Sequence, residues 1–444
     1  MGNSSSVHDS SNLPQSPFER MLQAKRKGAA SAKCIPGTAS DFYFFCRNGE
    51  VDRMRQVLDA EDAPSIDQLN ELQPNGSTAL HAATYYGHKE IVKFLLDRNC
   101  PRTALNRYGR TAYEEARDFE MKQLFDRPDS ASRFHELNAA HTLSIYLPCE
   151  NHGDTLASAP LNFVRVFKSE SEILDYSINQ QTTAMWLKFY NWFSHTFRTF
   201  IEREDFQIDA FDLHKHANFQ QFLKLHFSDP VQYELTMKSI GDAQRSNSIE
   251  PLIHLYTSEQ AGFYHPLNRQ LAHSVGDAQM SPHLCDRFVI EFHLRRHELK
   301  HRAFTGTVYR GATVPAVDLT IYEQALASDP PGILGLKTFT STSTDPLVAL
   351  AFAVQQPPTI DQKSVLFVFE IREVTPTIIG VEDVSSFIQE HEVLILPGNL
   401  FIVTGIEEEQ FLKVTKIYLR YWHVSVSFWK KLKQTVRSGK KTVL

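Results

Sequence analysis

Hydrophobic and polar positions follow two different periods along this chain, and each period keeps to its own stretch. After Gly87-His88-Lys89-Glu90, the residues Ile91, Val92, Phe94, Leu95 and Leu96 fall on one side of a 3.6-residue turn, which predicts a helix with one buried face. Trp186, Phe189, Tyr190, Phe193, Phe197, Phe200 and Ile201 recur at the same spacing and predict a second buried amphipathic helix. Between Val308 and Gly398 the period changes to two, in short runs of β-branched and aromatic residues bounded by Gly and Pro, as expected of strands. Polar groups interrupt three of these runs, at Val308-Tyr309-Arg310-Gly311, at Phe339-Thr340-Ser341-Thr342-Ser343, and at Gln389-Glu390-His391-Glu392 ahead of Val393-Leu394-Ile395-Leu396-Pro397-Gly398.

The first helical stretch belongs to an internal repeat. Gly76-Ser77-Thr78-Ala79-Leu80-His81-Ala82-Ala83 aligns with Gly109-Arg110-Thr111-Ala112-Tyr113-Glu114-Glu115-Ala116 at an offset of 33, and an earlier unit runs from Asn48 to Leu58. This pattern resembles ankyrin repeats, two to three of them over residues 39–127, which implies a stack that presents a protein-binding surface. So short a stack could also serve as a spacer packed on its neighbour.

Composition narrows the class. Six more acidic than basic residues, 52 against 46, argue against a nucleic-acid-binding chain as a whole. Cysteines 34, 46, 100, 149 and 285 form neither CxxC pairs nor a dense disulfide scaffold, which fits a reducing, cytoplasmic setting. No secretory signal follows Met1; Met1-Gly2-Asn3-Ser4-Ser5-Ser6 instead fits the pattern for N-myristoylation at Gly2, at the head of a polar arm covering residues 1–38. Single acylation holds a membrane marginally, and the basic aromatic tail, residues 426–444 with Lys430, Lys431 and Lys433, would add the second contact expected for attachment to a cytoplasmic membrane face.

The conspicuous chemistry is the pair Glu390 and Glu392. On an extended strand, residues two apart share a face with Cα atoms roughly 7 Å from each other. With Arg310 and Ser341-Thr342-Ser343, in this order and spacing, they resemble the mono-ADP-ribosyltransferases that carry Arg, Ser-Thr-Ser and Glu-x-Glu on successive strands; Leu255-Tyr256-Thr257 and Asn268-Arg269-Gln270-Leu271 are similar to the family's helical lead-in. The two resemblances imply a multidomain chain with an all-α ankyrin stack and, at 248–425, an α+β ADP-ribosyltransferase domain whose split β-sheet forms an NAD cleft; the region between them, 128–247, carries no resemblance and is expected from its helical spacing to be mostly helical. NAD would be the cosubstrate, no metal would be needed, and the product would be ADP-ribosylated arginine on a target protein, with NAD hydrolysis as a side reaction. By resemblance Arg310 grips the dinucleotide phosphates, Gly311 lets the backbone approach the nicotinamide amide, Ser341 holds Glu392 and the ribose, and Phe352 packs on the nicotinamide ring. Glu392 stabilises the ribose cation, while Phe387 and Glu390 recognise the acceptor.

Two rival readings differ in class. His297-Glu298-Leu299-Lys300-His301 satisfies the His-Glu-x-x-His pattern of a zinc protease, although Arg295, Arg296, Lys300 and Arg302 surround it with positive charge that opposes a dication. The other rival is an inactive transferase-like scaffold in which Arg310 and Glu392 are a structural ion pair.

Overall fold

A computed structural model of the chain describes residues 15–32, 36–60, 63–98, 100–127, 143–148, 164–167, 213, 216–272, 285–329, 331–354 and 361–422. The Gly2 arm, the helix expected around Trp186 and the basic tail lie outside these residues. The chain divides into two compact units, one made of Phe18–Ala131 with the short segment Val381–His391, the other of the rest.

In the first unit, α1 spans Pro17–Ser31, α2 Asp41–Asn48, α3 Val51–Leu58, α4 Ile66–Leu69, α5 Ala79–Tyr86, α6 Lys89–Asp97, α7 Ala112–Glu115 and α8 Phe119–Gln123. Three successive helix pairs, α2/α3, α5/α6 and α7/α8, follow from the repeat. Each pair opens on a hydroxyl that caps free amide groups: Ser40 receives the amide of Tyr43, Thr78 that of His81, and Thr111 that of Glu114, whose side chain returns the bond in a capping box. Gly49 and Gly87 end α2 and α5 at φ of 79° and 85°, a conformation that costs a residue with a Cβ. The apolar faces of Met54, Leu80, Ile91, Leu95 and Met121 meet in one core.

One link between repeats is His81. Its Nδ1 lies 2.7 Å from the Thr78 hydroxyl and its Nε2 3.1 Å from the carbonyl of Arg110 in the following repeat. Burial, only partly offset by the Arg110 carbonyl and the nearby Glu114 carboxylate, pulls its pKa down to about 4. At the position equivalent to His81, the next repeat carries Glu114, which satisfies its own cap instead.

In the second unit the order is β1 (Leu143–Pro148), β2 (Val164–Phe167), α9 (Ala217–His226), α10 (Pro230–Ser246), α11 (Glu250–Thr257), α12 (Tyr264–Ala272), α13 (Asp286–Leu294) and α14 (Arg296–Leu299). There follow β3 (Gly306–Pro315), α15 (Ala316–Ala327), β4 (Ile333–Leu336), β5 (Thr340–Ser343), α16 (Pro346–Val354), β6 (Gln362–Ile371), β7 (Ile378–Gly380), β8 (Glu392–Ile395), β9 (Leu400–Glu409) and β10 (Val414–Tyr421). The strands form one mixed sheet in the order β2-β1-β4-β9-β10-β6-β3-β5-β8-β7, with β10/β6 and β1/β2 parallel. Central β6 buries Val365, Leu366, Phe367, Val368 and Phe369 in succession, because both of its faces are covered. The edge is supplied by β1 and β2, from the region 128–247 that was expected to be mostly helical; its described residues include helices α9 and α10, and the two short strands, which that expectation did not include, hydrogen-bond into the sheet.

Full ladders join β3 to β6 and β5 to β8, whereas β3 and β5 share one register pair, Tyr309 with Ser343. There the sheet opens, as a split sheet should. Among the described residues no helix is long and apolar enough to cross a membrane.

A pH dependence follows from His81. Its folded pKa lies below the ordinary value of 6.5, so the unfolded chain binds more protons between pH 6.5 and about 4, and stability falls as pH falls through that window. The His81 contribution to this loss should approach about 3 kcal/mol at pH 4. Urea unfolding followed across this window tests it: the midpoint should fall with acid in the wild type and show a flatter dependence in His81→Gln, which is less stable than wild type at neutral pH.

Candidate active site

The register of the sheet gathers the polar residues of the second unit. All four residues of β5, Thr340 to Ser343, are buried, as is Glu392 at the start of β8. Ser343 pairs directly with Glu392 across the β5/β8 ladder, and residues paired in this way project from the same face with Cβ atoms about 5 Å apart. Ser341, two residues before Ser343, shares that face, whereas Thr342 points the other way and donates its hydroxyl to the carbonyl of Val393 at 2.6 Å. Where the sheet opens, Arg310 reaches from β3 and donates Nη1 to the backbone carbonyl of Ser341 at 2.9 Å. The three expected groups are therefore brought together.

Packing from behind fixes β5. Phe339, just before it, sits among Tyr256, Phe288 and Phe292 with ring centroids 5.0 to 5.9 Å away. The Phe339 carbonyl accepts from Asn268 Nδ2 at 3.2 Å and from the Tyr256 hydroxyl at 3.3 Å, and Asn268 also donates to that hydroxyl at 3.1 Å. Sequence reasoning placed Tyr256 and Asn268 only in a similar lead-in; here they anchor the carbonyl at the entry to the Thr-Ser-Thr-Ser strand.

Packing alone already requires a glycine at position 311. A Cβ on Gly311 would collide with the carbonyl of Ala349 and approach Ala353 N at 2.6 Å, so the empty side of this glycine is where α16 lies on β3. Phe352 is half-buried on a neighbouring side of the same helix.

In the first unit, the segment Val381–His391 holds Phe387 and Glu390. Glu390 ends a single 3₁₀ turn, Ile388–Glu390, and His391 follows with φ of 45°, so the extended geometry assumed for Glu390 and Glu392 is incorrect. A left-handed residue between them breaks the two-residue alternation. Nor is Glu390 exposed: its two carboxylate oxygens accept Arg127 Nε at 2.8 Å and Nη2 at 2.9 Å, with 5% and 7% of the Arg127 and Glu390 side chains exposed. The Phe387 ring is buried, with the Arg127 guanidinium 4.0 Å and that of Arg102 4.8 Å from its centroid. Burial, with Arg127 beside it, pulls Arg102 down to about 10. Gln389 and Arg102 both donate to the carbonyl of Phe125, at 2.7 and 2.6 Å. Further along, Asp383 pairs with Lys25 at 2.9 Å and Glu382 with Arg26 at 3.6 Å.

At the His-Glu-x-x-His stretch, α14 stops at Leu299 and a 3₁₀ turn takes over, so His297 and His301 do not share one regular helix. Glu298 accepts from Arg295 at 2.6 Å and from the amide of Ile249 at 3.1 Å, an anchor between two helices rather than an available base.

Residues 42–121 match the family model for ankyrin repeats, in three copies. They are ankyrin repeats. A stretch of 77 residues is 36% identical to the NAD-capped RNA hydrolase NUDT12 of Homo sapiens, and equally to that of Pongo abelii, covering 17% of this chain and 16% of each relative. The chain thus spans about a sixth of the length of these curated relatives. Among solved structures, the Vis toxin, an ADP-ribosyltransferase from Vibrio splendidus, is 21% identical, covering 58% of this chain and 88% of that one with a TM-score of 0.24. The ADP-ribosyltransferase HopU1 of Pseudomonas syringae is 16% identical, covering 48% of this chain and 97% of that one with a TM-score of 0.33. Arg102 lies inside the matched ankyrin residues, and Arg127 follows them after α8.

The contact at Gly311 carries a prediction. In Gly311→Ala the new methyl must push α16 off β3, an overpacking that costs about 1–3 kcal/mol. Thermal unfolding should show a lower Tm than wild type, and an unchanged Tm would mean that the helix is not held at this point.

Proposed function

We propose that the second unit transfers ADP-ribose from NAD to arginine side chains of a protein, and that the ankyrin repeats bind a protein partner. The observation that carries this reading is the meeting of Arg310, Ser341 and Glu392 on three neighbouring strands at the opening of the sheet. In the reaction the bond between ribose C1 and the nicotinamide nitrogen breaks and its electron pair leaves with neutral nicotinamide. Positive charge grows on the ribose, and a fixed carboxylate in a site without water stabilises that charge more than water would. Glu392, wholly buried, is suited to this role. Ser341 lies on its face and can hydrogen-bond the ribose. Arg310, held at the opening by its bond to the Ser341 carbonyl, carries a permanently charged planar fork of the kind that suits a pyrophosphate.

The acceptor nitrogen then attacks C1 and must lose a proton. A guanidinium is a poor nucleophile at neutral pH, so it needs a carboxylate that orients it and accepts this proton. Glu390, two residues before Glu392 in the chain, is assigned that role. In this structure it already takes a guanidinium by both oxygens, which supports arginine as the acceptor. Phe387 would cover the flat face of the same group.

Two substitutions separate the steps. Glu392→Gln should fold and bind NAD yet lose nicotinamide release by roughly a hundredfold or more, the usual scale for removing a fixed charge stabiliser; undiminished release would reject its role. Glu390→Gln should abolish transfer to agmatine while NAD hydrolysis, which needs Glu392 and water, largely survives. Parallel assays on one preparation decide the matter, because equal loss of both reactions, or loss of neither, rules out acceptor selection by Glu390.

A further inference from the structure

We infer that Arg127 is an internal occupant of the acceptor site, a built-in arginine that a substrate arginine must displace. The inference rests on the arginine-transfer reading, because it takes Glu390 and Phe387 as the residues that receive the acceptor. The same side chain engages both: Nε and Nη2 of Arg127 fork onto the two oxygens of Glu390 at 2.8 and 2.9 Å, and its guanidinium lies 4.0 Å from the Phe387 centroid. A carboxylate clamp at the edge and an aromatic ring on the face are the two contacts by which a planar cation is recognised.

An ordinary structural ion pair would need only the first contact. The rest of the segment is held from the same unit by matching charge, Glu382 by Arg26 and Asp383 by Lys25, while Gln389 bonds the Phe125 carbonyl two residues before Arg127. The segment is thus clasped at both ends by basic residues of α1 and of the chain after α8. Arg102 closes on the Phe387 ring at 4.8 Å and leaves a second guanidinium on the same aromatic. With Arg127 and Glu390 only 5% and 7% exposed, neither water nor salt readily competes for the pair. An acceptor sees only the fraction of molecules in which Arg127 has let go, and its apparent affinity is reduced by that fraction.

The full-length chain provides the test, with agmatine as the acceptor and nicotinamide release as the independent readout. Arg127→Met removes the fork and keeps apolar bulk beside Phe387. It should lower the KM for agmatine by about tenfold or more while NAD hydrolysis without acceptor stays within about twofold of wild type. Amide hydrogens of residues 382–391 should exchange faster in the variant. Should Arg127→Met fail to fold, Arg127→Lys keeps the charge without the fork and should lower the KM a few-fold. Transfer with the same or a higher KM in the folded variant overturns the internal occupant and leaves the transferase standing. NAD hydrolysis with no agmatine transfer in any protein refutes the arginine acceptor, and absence of nicotinamide release from all of them refutes the transferase; either result takes this inference with it.

Discussion

The second unit depends on how a buried strand finds partners where its sheet comes apart. Strand β5 is buried along its whole length, yet toward β3 it shares one register pair, so the backbone groups on that side need hydrogen bonds from elsewhere. Arg310 supplies one to Ser341, and Asn268 with Tyr256 supplies two to Phe339. The opening that could admit a ligand is therefore also the place where long polar side chains are structurally required. This explains why an arginine reaches the strand itself while an asparagine and a tyrosine converge on the carbonyl of Phe339 just before it. It also explains why α16 must come so close at Gly311, since the helix packs on β3 with Ala349 and Ala353, the smallest side chains that could cover it.

Much of this was legible in the sequence, for definite reasons. The repeat was readable because Thr78 and Thr111 cap equivalent helices and Gly49 and Gly87 end equivalent ones, so local chemistry recurs at fixed intervals. The strands carrying Arg310, Ser341 and Glu392 were readable from their two-residue period. The turn before Glu392 was not, because nothing in Gln389-Glu390-His391 announces a left-handed histidine, and an extended reading was the natural default. Nor could the short strands β1 and β2 be read from a region whose strongest pattern is helical. The role of Glu298 as a helix anchor was hidden by a motif that its spacing happens to satisfy.

The segment Val381–His391 shows the limit of reading a chain in linear pieces. It leaves a strand of one unit at Gly380, folds with the other, and returns at Glu392. Its acids and its phenylalanine find their partners in α1, at Arg102 and after α8, pairings that no local window contains. A boundary drawn at residue 248 would cut this segment from those partners, leaving a buried carboxylate without its counter-charge and an aromatic ring without its cover.

Arg127 and Glu390 are also separated in time. They stand 263 residues apart, and at ordinary rates of translation roughly 10 to 50 seconds pass between the synthesis of the first and of the second. Ankyrin repeats fold from near-neighbour contacts and can be complete well within that interval. The nascent protein therefore carries a finished repeat stack, followed by an Arg127 whose carboxylate partner has yet to be made.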